Sequence, residues 1–512
     1  VVVVRGTSLG PAYNVLDGFT ITGGNATGAV ELSSAGGLSA SFATVIVRRC
    51  RIEGNTGLYT GGAAFSDVRA IVEDVAFVEN TASYNGGAYV RNAEADFRRV
   101  SFTRNRGTNG TGGLATDRSL TRFEDVAFTE NTGGGHGGGL SVLAGTVTLQ
   151  RAAFIRNRAG RAGGGLRIDG SDATLVDVRF LGNLAGSNGS PYDDVGGAVA
   201  VAHGSLSLTN GVLVGNAASH GGAIQVFFPP GKLELRHVTA VANGTYETAP
   251  YGAGGTVIIL DNTNVSVANS ILAGNGIATR SDKGFALTGP VAPFVFRTSM
   301  AFPSRLTVMQ TVLPDGCPNR SEATCTGLAM GQPRFVRAPS PGADGLWATA
   351  DDDYGDLESL PGSSAVDLGH AALIPADRLD VDGDGDQTEP LPRDLAGRAR
   401  VAGQAPDAGA FERDEFLSGT EEARQLGAQV GEPHPNPASD AVVIPLRMPA
   451  AEAVRVMVFD ALGRQVAMVH EGVLMAGSHQ MRLDASGLTP GLYVVRVLSS
   501  GGARTRRFLV TR

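Results

Sequence analysis

An apolar pattern that ends in asparagine recurs through the first half of the chain, and it restricts the fold more than any other feature. Three apolar residues lie eight, five and three positions before each asparagine, as Val72, Val75 and Phe77 lie before Asn80. Gly24 replaces the asparagine in the earliest copy. The first six asparagines are 25 or 26 residues apart and the last three are more loosely spaced, which predicts a solenoid, here of ten coils. The later nine copies end in Asn55, Asn80, Asn105, Asn131, Asn157, Asn183, Asn216, Asn243 and Asn275.

The residues that follow the asparagine distinguish two kinds of solenoid. A leucine-rich repeat shares this period, but it needs leucine two places after the asparagine and a helical return. Those places hold residues such as Gly57 and Ala82, and the return runs through a glycine pair into short alternating segments such as residues 87–90. Short alternating segments are typical of strands. The sequence therefore predicts an all-β chain in which residues 1–313 form a right-handed parallel β-helix, with the leucine-rich solenoid as the alternative.

Each position of the pattern is expected to form a ladder along the helix axis. Phenylalanines three places before the asparagine are expected to stack in the interior, and the asparagine to occupy a left-handed turn and bond backbone amides. The position six places before the asparagine alternates in charge from coil to coil. Alternation favours ion pairs between coils, and a polysaccharide lyase face is the competing interpretation. The charged series is Arg49, Asp74, Arg99, Asp125, Arg151 and Asp177.

The loops between the asparagine and the glycine pair form the predicted binding edge. They contain Tyr59, Tyr84 and His136, and two later loops, residues 184–195 and 244–253, are enlarged. Loops that grow along one edge of a solenoid often mark its binding side. Tyrosines are expected to stack on sugar rings there, and the alternative is a set of tolerated surface insertions. The candidate binding residues are Tyr192, Asp193, Asp194, His220, Tyr246 and Tyr251.

Pairs of short motifs connect the repeats to a known group of proteins. Residues 196–199 read Gly-Gly-Ala-Val, residues 221–224 read Gly-Gly-Ala-Ile, and residues 128–131 read Phe-Thr-Glu-Asn. This pairing resembles the repeats of polymorphic outer-membrane proteins and related bacterial surface β-helices. The resemblance implies an exported, surface-displayed and often adhesive rod, and it implies no catalytic residues.

Residues 314–412 lose the period and gather acidic side chains. The run 380–386 places carboxylates at alternate positions, as in the first half of a calcium loop, although Leu391 stands where the bidentate glutamate belongs. A Ca²⁺ site and a solvated acidic turn are both open, and the proposed ligands are Asp380, Asp382, Asp384 and Asp386. Cys317 and Cys325 are spaced for a disulfide in an oxidising compartment.

Four motifs of this segment resemble the terminal part of bacterial choice-of-anchor surface domains. They lie at residues 332–336, 352–354, 361–367 and 407–412, the last reading Asp-Ala-Gly-Ala-Phe-Glu. The resemblance implies that the segment closes the β-helix. A closing segment is also expected physically, because the last coil otherwise exposes unpaired backbone groups.

The C-terminal module follows a linker, residues 413–431, and spans residues 432–512. About seven short alternating segments predict a small antiparallel β-sandwich. The motifs Pro-Asn-Pro at 435–437, Val-Phe-Asp-Ala-Leu-Gly-Arg at 458–464 and Gly-Leu-Tyr at 491–493, with a basic end, resemble the type A sorting domain of the type IX secretion system. The resemblance implies export through the type IX machinery of a Gram-negative bacterium, to the medium or to the outer-membrane surface.

Charge and hydropathy exclude some partners. A net charge of −8 without a block of lysine or arginine argues against nucleic acid. No apolar run reaches the roughly 18 residues of a membrane helix. The sequence predicts a secreted or cell-surface protein that is adhesive or glycan-binding, with a polysaccharide lyase or glycoside hydrolase and a purely structural rod as alternatives.

Overall fold

The structure is a computed structural model, and it forms two compact units, Val1–Arg413 and Asp414–Arg512. No helix of the described residues is long and apolar enough to cross a membrane. The described residues are 1–6, 13–28, 31–32, 34–186, 195–227, 231–246, 258–261, 263–281, 283–290, 294–297, 305–318, 321, 323–413, 429–431, 433–436, 438–448, 452–460, 465–475, 477–489, 491–499 and 502–511.

The first unit is a parallel β-helix, as predicted, and its successive coils build three sheets, with one strand or two shorter strands per coil in sheet 2. Sheet 1 holds the strands that follow the glycine pairs, and all its neighbours pair in parallel. Its eleven strands are Val2–Arg5, Leu38–Ser41, Ala63–Ser66, Ala88–Arg91, Leu114–Asp117, Leu140–Leu143, Leu166–Asp169, Val199–Ala202, Ile224–Phe227, Ile258–Asp261 and Phe294–Arg297.

Sheet 2 holds the apolar pattern and bends at the charged position in the middle of each coil. Its seventeen strands are Tyr13–Asp17, Thr20–Thr22, Thr44–Arg48, Arg51–Glu53, Arg69–Glu73, Ala76–Val78, Glu94–Arg98, Ser101–Thr103, Leu120–Thr129, Thr146–Ile155, Asp172–Leu181, Ser205–Val214, Gly231–Val241, Thr263–Ala268, Ile271–Ala273, Arg305–Val312 and Ala323–Ala329.

Sheet 3 follows the asparagines and contains ten parallel strands, one for each predicted coil, and one antiparallel strand. The parallel strands are Asn25–Ala26, Thr56–Gly57, Thr81–Ala82, Arg106–Gly107, Thr132–Gly133, Arg158–Ala159, Leu184–Ala185, Ala217–Ala218, Gly244–Tyr246 and Gly276–Arg280, and Phe285–Pro290 is antiparallel. The described residues contain no α-helix, only the 3-10 turn Ala371–Leu373, so the helical return of the leucine-rich alternative is absent from them.

The interior of the helix is a continuous apolar core. The predicted phenylalanine ladder is present, because Phe77, Phe102, Phe128, Phe154 and Phe180 are fully buried and stack in sequence. Neighbouring ring centroids are 4.7–4.9 Å apart, which matches the spacing between coils. The ladder therefore fixes the register of sheet 2 by side-chain packing as well as by backbone hydrogen bonds.

The asparagines form a second buried ladder. Asn80 Nδ2 donates to Asn105 Oδ1 at 3.0 Å, and the backbone N–H of Asn80 donates to the same oxygen at 3.0 Å. The prediction of backbone bonding is correct, but the prediction of a left-handed asparagine is wrong. The residue before each asparagine has the left-handed conformation instead, as in Glu79 with φ of 52° and Arg104 with φ of 51°. That residue turns the corner, which leaves the asparagine side chain pointing along the stack.

The charged columns pair between coils. Arg99 Nε donates to Asp74 Oδ1 at 2.7 Å, and Arg151 Nε donates to Asp125 Oδ1 at 2.7 Å. Arg99 also contacts Glu73, and it lowers the pKa of Asp74. Each of these arginines reaches back to the acid of the preceding coil. The structure therefore accounts for the charge alternation by ion pairing within the protein.

Replacement of Arg99 by aspartate tests this pairing. The variant removes the partner of Asp74 and Glu73 and places three acids in succession at positions 74, 99 and 125, so the urea midpoint of unfolding is expected to fall. The decrease should shrink in 1 M NaCl, because salt screens exposed charges. Arg99→Gln, which removes the pair without adding a negative charge, should show a smaller decrease. A midpoint unchanged in both variants at low salt would rule out a stabilising ladder.

Residues 314–413 continue the β-helix and then run back along its side. Strand Ala323–Ala329 extends sheet 2 by one strand, and Cys317 forms a disulfide with Cys325. The later part packs on the outward face of the coils that end in Asn157 to Asn275. Strands Phe335–Arg337 and Asp356–Ser359 form a small antiparallel sheet within it.

A second apolar core lies between this returning segment and the β-helix. Trp347, only 3% exposed, packs against Gly215, where its ring leaves no room for a Cβ atom. The Gly215 φ of +65° is also unfavourable for other residues. Polar contacts fasten the same interface, since the N–H of Ala410 donates to Thr239 Oγ1 at 3.0 Å and that of Gly409 donates to Asn269 O at 2.8 Å.

The second unit contains the predicted small antiparallel sandwich. Its seven described strands form two sheets around one buried apolar cluster. The three-stranded sheet holds Gln429–Val430, Ala441–Met448 and Gly477–Asp484, and the four-stranded sheet holds Gln465–Leu474, Glu452–Asp460, Gly491–Ser499 and Gly502–Val510.

Candidate functional site

A groove of about 470 Å³ lies on the outward face of sheet 1, beside the loops that lead into that sheet. We call it the tyrosine groove. It contains two of the loop tyrosines that the sequence places on the predicted binding edge. Its lining is Leu32, Tyr59, Tyr84, Asn85, Tyr89, Asn109, Gly110, Thr111, Ala115, His136, Ser141, Leu143, Arg167 and Asp169.

The floor of the groove comes from one outward position of sheet 1 in four successive coils. Tyr89 is in register with Ala115, Ala115 with Ser141, and Ser141 with Arg167. At about 4.8 Å per coil, this row is about 14 Å long. Two small side chains between two large ones create the depression, so the parallel register itself shapes the site.

One wall of the groove is aromatic. Tyr59 and Tyr84 come from equivalent loops of successive coils, and their rings stack with centroids 5.6 Å apart and planes 17° apart. Tyr84 is 48% exposed, so its ring is accessible to a ligand. Asn85 and Asn109 add amide groups beside the rings. This wall presents a flat apolar surface next to hydrogen-bonding groups.

The polar groups of the groove are arranged in pairs. The Tyr89 hydroxyl donates to Asp117 Oδ2 at 3.4 Å, and burial, with a smaller effect of Asp117, raises the pKa of Tyr89 to about 12. Arg167 Nη2 donates to Asp169 Oδ2 at 2.8 Å, and the Arg167 side chain is 7% exposed. The phenol therefore stays protonated at neutral pH, and the groove offers a guanidinium whose charge an adjacent carboxylate balances.

The sequence-predicted binding residues are placed differently. His220 is 2% exposed and pairs through its backbone with Val195. Tyr246 is 5% exposed, with its ring edge-on to Phe285 at 6.5 Å and Arg280 lying over it at 5.8 Å. Both rings are therefore buried inside the protein. Tyr192, Asp193, Asp194 and Tyr251 lie outside the described residues, and their role stays a prediction.

The acidic run is only partly brought together. Carboxylate oxygens of Asp380, Asp382 and Asp384 lie within 4.8 Å of one another. Asp386 is not part of this group, and its Oδ1 accepts hydrogen bonds from the Thr388 N–H at 2.8 Å and the Thr388 hydroxyl at 2.7 Å. A second group brings Asp382 together with Asp377 and Glu389, which the sequence interpretation did not include.

The comparison with protein families bears on the second unit. Residues 433–511 match the family model of the secretion system C-terminal sorting domain. The match confirms the predicted type IX sorting domain and makes the chain a secreted or cell-surface protein that uses the type IX machinery. No curated protein matches the chain.

Proposed function

We propose that the β-helix unit is a glycan-binding, adhesive module that the sorting domain delivers to the cell exterior, and that the tyrosine groove is its binding site. The Tyr59–Tyr84 stack, in which Tyr59 is half-buried and Tyr84 exposed, lies beside a polar floor and is the observation that carries this proposal. Sugar rings combine an apolar face with hydroxyl edges, so an aromatic platform next to amide and carboxylate groups is complementary to them.

The charge of the groove favours a neutral polysaccharide over an acidic one. Arg167, the only cationic side chain of the arginine or lysine type in the described lining, is already paired with Asp169. The whole chain also carries a net charge of −8, which repels polyanions. The floor, about 14 Å long, is suited to several consecutive sugar residues, so we expect polymers to bind more tightly than monosaccharides.

Replacement of Tyr84 by alanine tests the site. The full chain is run in affinity gels that contain laminarin, mannan, xylan or starch, and we expect retardation by at least one of them. Loss of one stacking surface, worth about 1.5 kcal/mol, should weaken that binding about tenfold.

Tyr13→Ala is the matched control, because Tyr13 is 56% exposed but lies on sheet 2. Its retardation should equal that of the wild type. Absence of retardation in all four gels, or equal losses in the two variants, would contradict the assignment of the groove.

Adhesion also requires that the exported protein stays on the cell. We propose attachment at the outer-membrane surface after export, as the resemblance of the sorting module implies. Fractionation of cells that express the full chain should place it in the surface fraction, accessible to added protease. Recovery only from the culture medium would limit the proposal to a secreted glycan-binding protein.

A further inference from the structure

Three acidic residues at the two ends and in the middle of one loop of the returning segment, Asp377, Asp382 and Glu389, converge. Asp377 and Glu389 are neighbours across a short antiparallel contact, in which the N–H of Asp377 donates to the carbonyl of Glu389 at 2.8 Å. Asp382 comes from the loop that connects them. One carboxylate oxygen from each residue lies within 4.8 Å of the others.

Each of the three carboxylates has one oxygen without the hydrogen-bond partner that a buried carboxylate oxygen normally has. Asp377 is 1% exposed, and its Oδ1 has no hydrogen-bond donor, nor do Asp382 Oδ1 and Glu389 Oε1. The other oxygen of Asp377 accepts the N–H of Val381 at 2.8 Å, which holds the side chain in place. No arginine or lysine within the described ranges forms an ion pair with any of the three. A buried, unpaired carboxylate is unfavourable unless something neutralises it.

The pKa shifts of Asp377 and Glu389 are those expected for carboxylates that have no positive charge beside them. Burial, followed by the neighbouring Asp382 and Asp380, raises the pKa of Asp377. Burial, followed by Asp384 and Asp382, also raises the pKa of Glu389. Like charges held this close destabilise one another, and a bound cation reverses that effect.

We propose that Asp377, Asp382 and Glu389 form a Ca²⁺ site that fastens the loop between residues 377 and 389. Calcium takes oxygen ligands at about 2.3–2.6 Å, so ligands on opposite sides of one ion are up to about 5 Å apart, and the three oxygens meet this limit. The irregular loop suits the flexible coordination of calcium better than the octahedron that Mg²⁺ requires. This set shares only Asp382 with the ligands predicted from the acidic run.

Calorimetric titration of the full chain with Ca²⁺, after treatment with EDTA, tests the site. We expect saturable binding with a dissociation constant of about 10⁻⁵–10⁻³ M, the range from sensors to extracellular modules. Asp377→Asn and Glu389→Gln should each weaken binding at least tenfold. Asparagine at 377 can still accept the Val381 N–H, so folding should be retained, and a variant unfolding midpoint in EDTA at or above that of the wild type verifies this.

Asp386→Asn is the matched control, because the Asp386 carboxylate is engaged by Thr388. It should change the affinity less than twofold. The proposal is overturned if the wild type binds no Ca²⁺ at millimolar concentration, if Mg²⁺ binds more tightly, or if Asp386→Asn abolishes binding while Asp377→Asn does not.

Discussion

Replacement of Asn105 by alanine is expected to lower the free energy of unfolding of the β-helix by about 3–5 kcal/mol. The Asn105 side chain accepts two hydrogen bonds from Asn80 and donates to Phe77 O at 2.9 Å and to Asn131 Oδ1 at 3.0 Å. All these groups are buried, so alanine leaves them without partners and without access to water. Urea unfolding followed by circular dichroism measures the loss.

An exposed asparagine provides the control for this variant. Asn264 lies on sheet 2 with its side chain exposed, so Asn264→Ala should change the free energy of unfolding by less than about 0.5 kcal/mol. A loss at Asn105 no larger than the loss at Asn264 would show that the asparagine ladder contributes little to stability.

Replacement of Arg400 by methionine is expected to detach the returning segment, at a cost of about 3–5 kcal/mol. Arg400 and Glu412 are 1% and 2% exposed, and Arg400 Nη2 donates to Glu412 at 2.9 Å. Arg400 Nη1 also donates to Asn210 Oδ1 of the β-helix at 3.2 Å. The methionine variant leaves a buried carboxylate unpaired. Limited proteolysis should then cleave within residues 330–413 much faster than in the wild type.

The same variant has an expected pH dependence. Burial raises the pKa of Glu412 to about 7, and Arg400 acts in the opposite direction, so its removal raises this pKa further. A folded-state pKa above the unfolded value means that the folded form holds the proton more tightly. The contribution of Glu412 to the free energy of unfolding is therefore greatest below its unfolded pKa of about 4.3, and it falls as the pH rises through 7. Arg400→Met should be cleaved more slowly at pH 5.5 than at pH 8.

Two further variants distinguish the loss of the buried ion pair from a nonspecific destabilisation of the fold. Arg393 is exposed, so Arg393→Met should behave as the wild type in proteolysis. The double variant Arg400→Met, Glu412→Gln removes the unpaired charge and should recover part of the lost protection. Equal cleavage of the single variant and the wild type would show that the buried pair does not hold the segment.

The β-helix follows from the sequence because each coil repeats the same local pattern. Phe77, Phe102 and Phe128 occupy one column at a nearly constant spacing. The stacking of coils can therefore be predicted from the local pattern, without knowledge of any long-range contact. The sequence pattern predicts the left-handed corner one residue too late, because asparagine is among the non-glycine residues that most readily adopt this conformation. In this chain its side chain is needed for the ladder, and the residue before it, which is charged in four coils and glycine or alanine in the others, turns instead.

The path of the returning segment was missed, although the sequence contains a signal for it. The outward positions of sheet 2 are Ser101 and Thr103 in an exposed coil, but Val212 and Val214 in a covered one. The charged column also changes, from arginine and aspartate to Asn210, His237 and Asn269, where the segment packs. Outward apolar residues indicate a partner, but the pattern alone does not say which part of the chain supplies it.

The tyrosine groove was predicted only in part. The sequence predicts a binding edge that includes the loop tyrosines, but its candidate binding residues come from later loops and not from Tyr59 and Tyr84. Loop length does not report burial, and Tyr246 belongs to a coil that the returning segment covers. The floor residues Tyr89 and Arg167 are three coils apart, so only the register of sheet 1 brings them into one site.

The most direct test of the proposed function measures binding and cleavage in one experiment. The full chain is immobilised and exposed to neutral and acidic polysaccharides, and both the retained polymer and any new reducing or unsaturated ends are quantified. Glycan binding in the tyrosine groove predicts retention of a neutral polysaccharide without new ends. New ends would show a hydrolase or lyase, and neither retention nor new ends would show a structural rod, so either result would contradict the proposal.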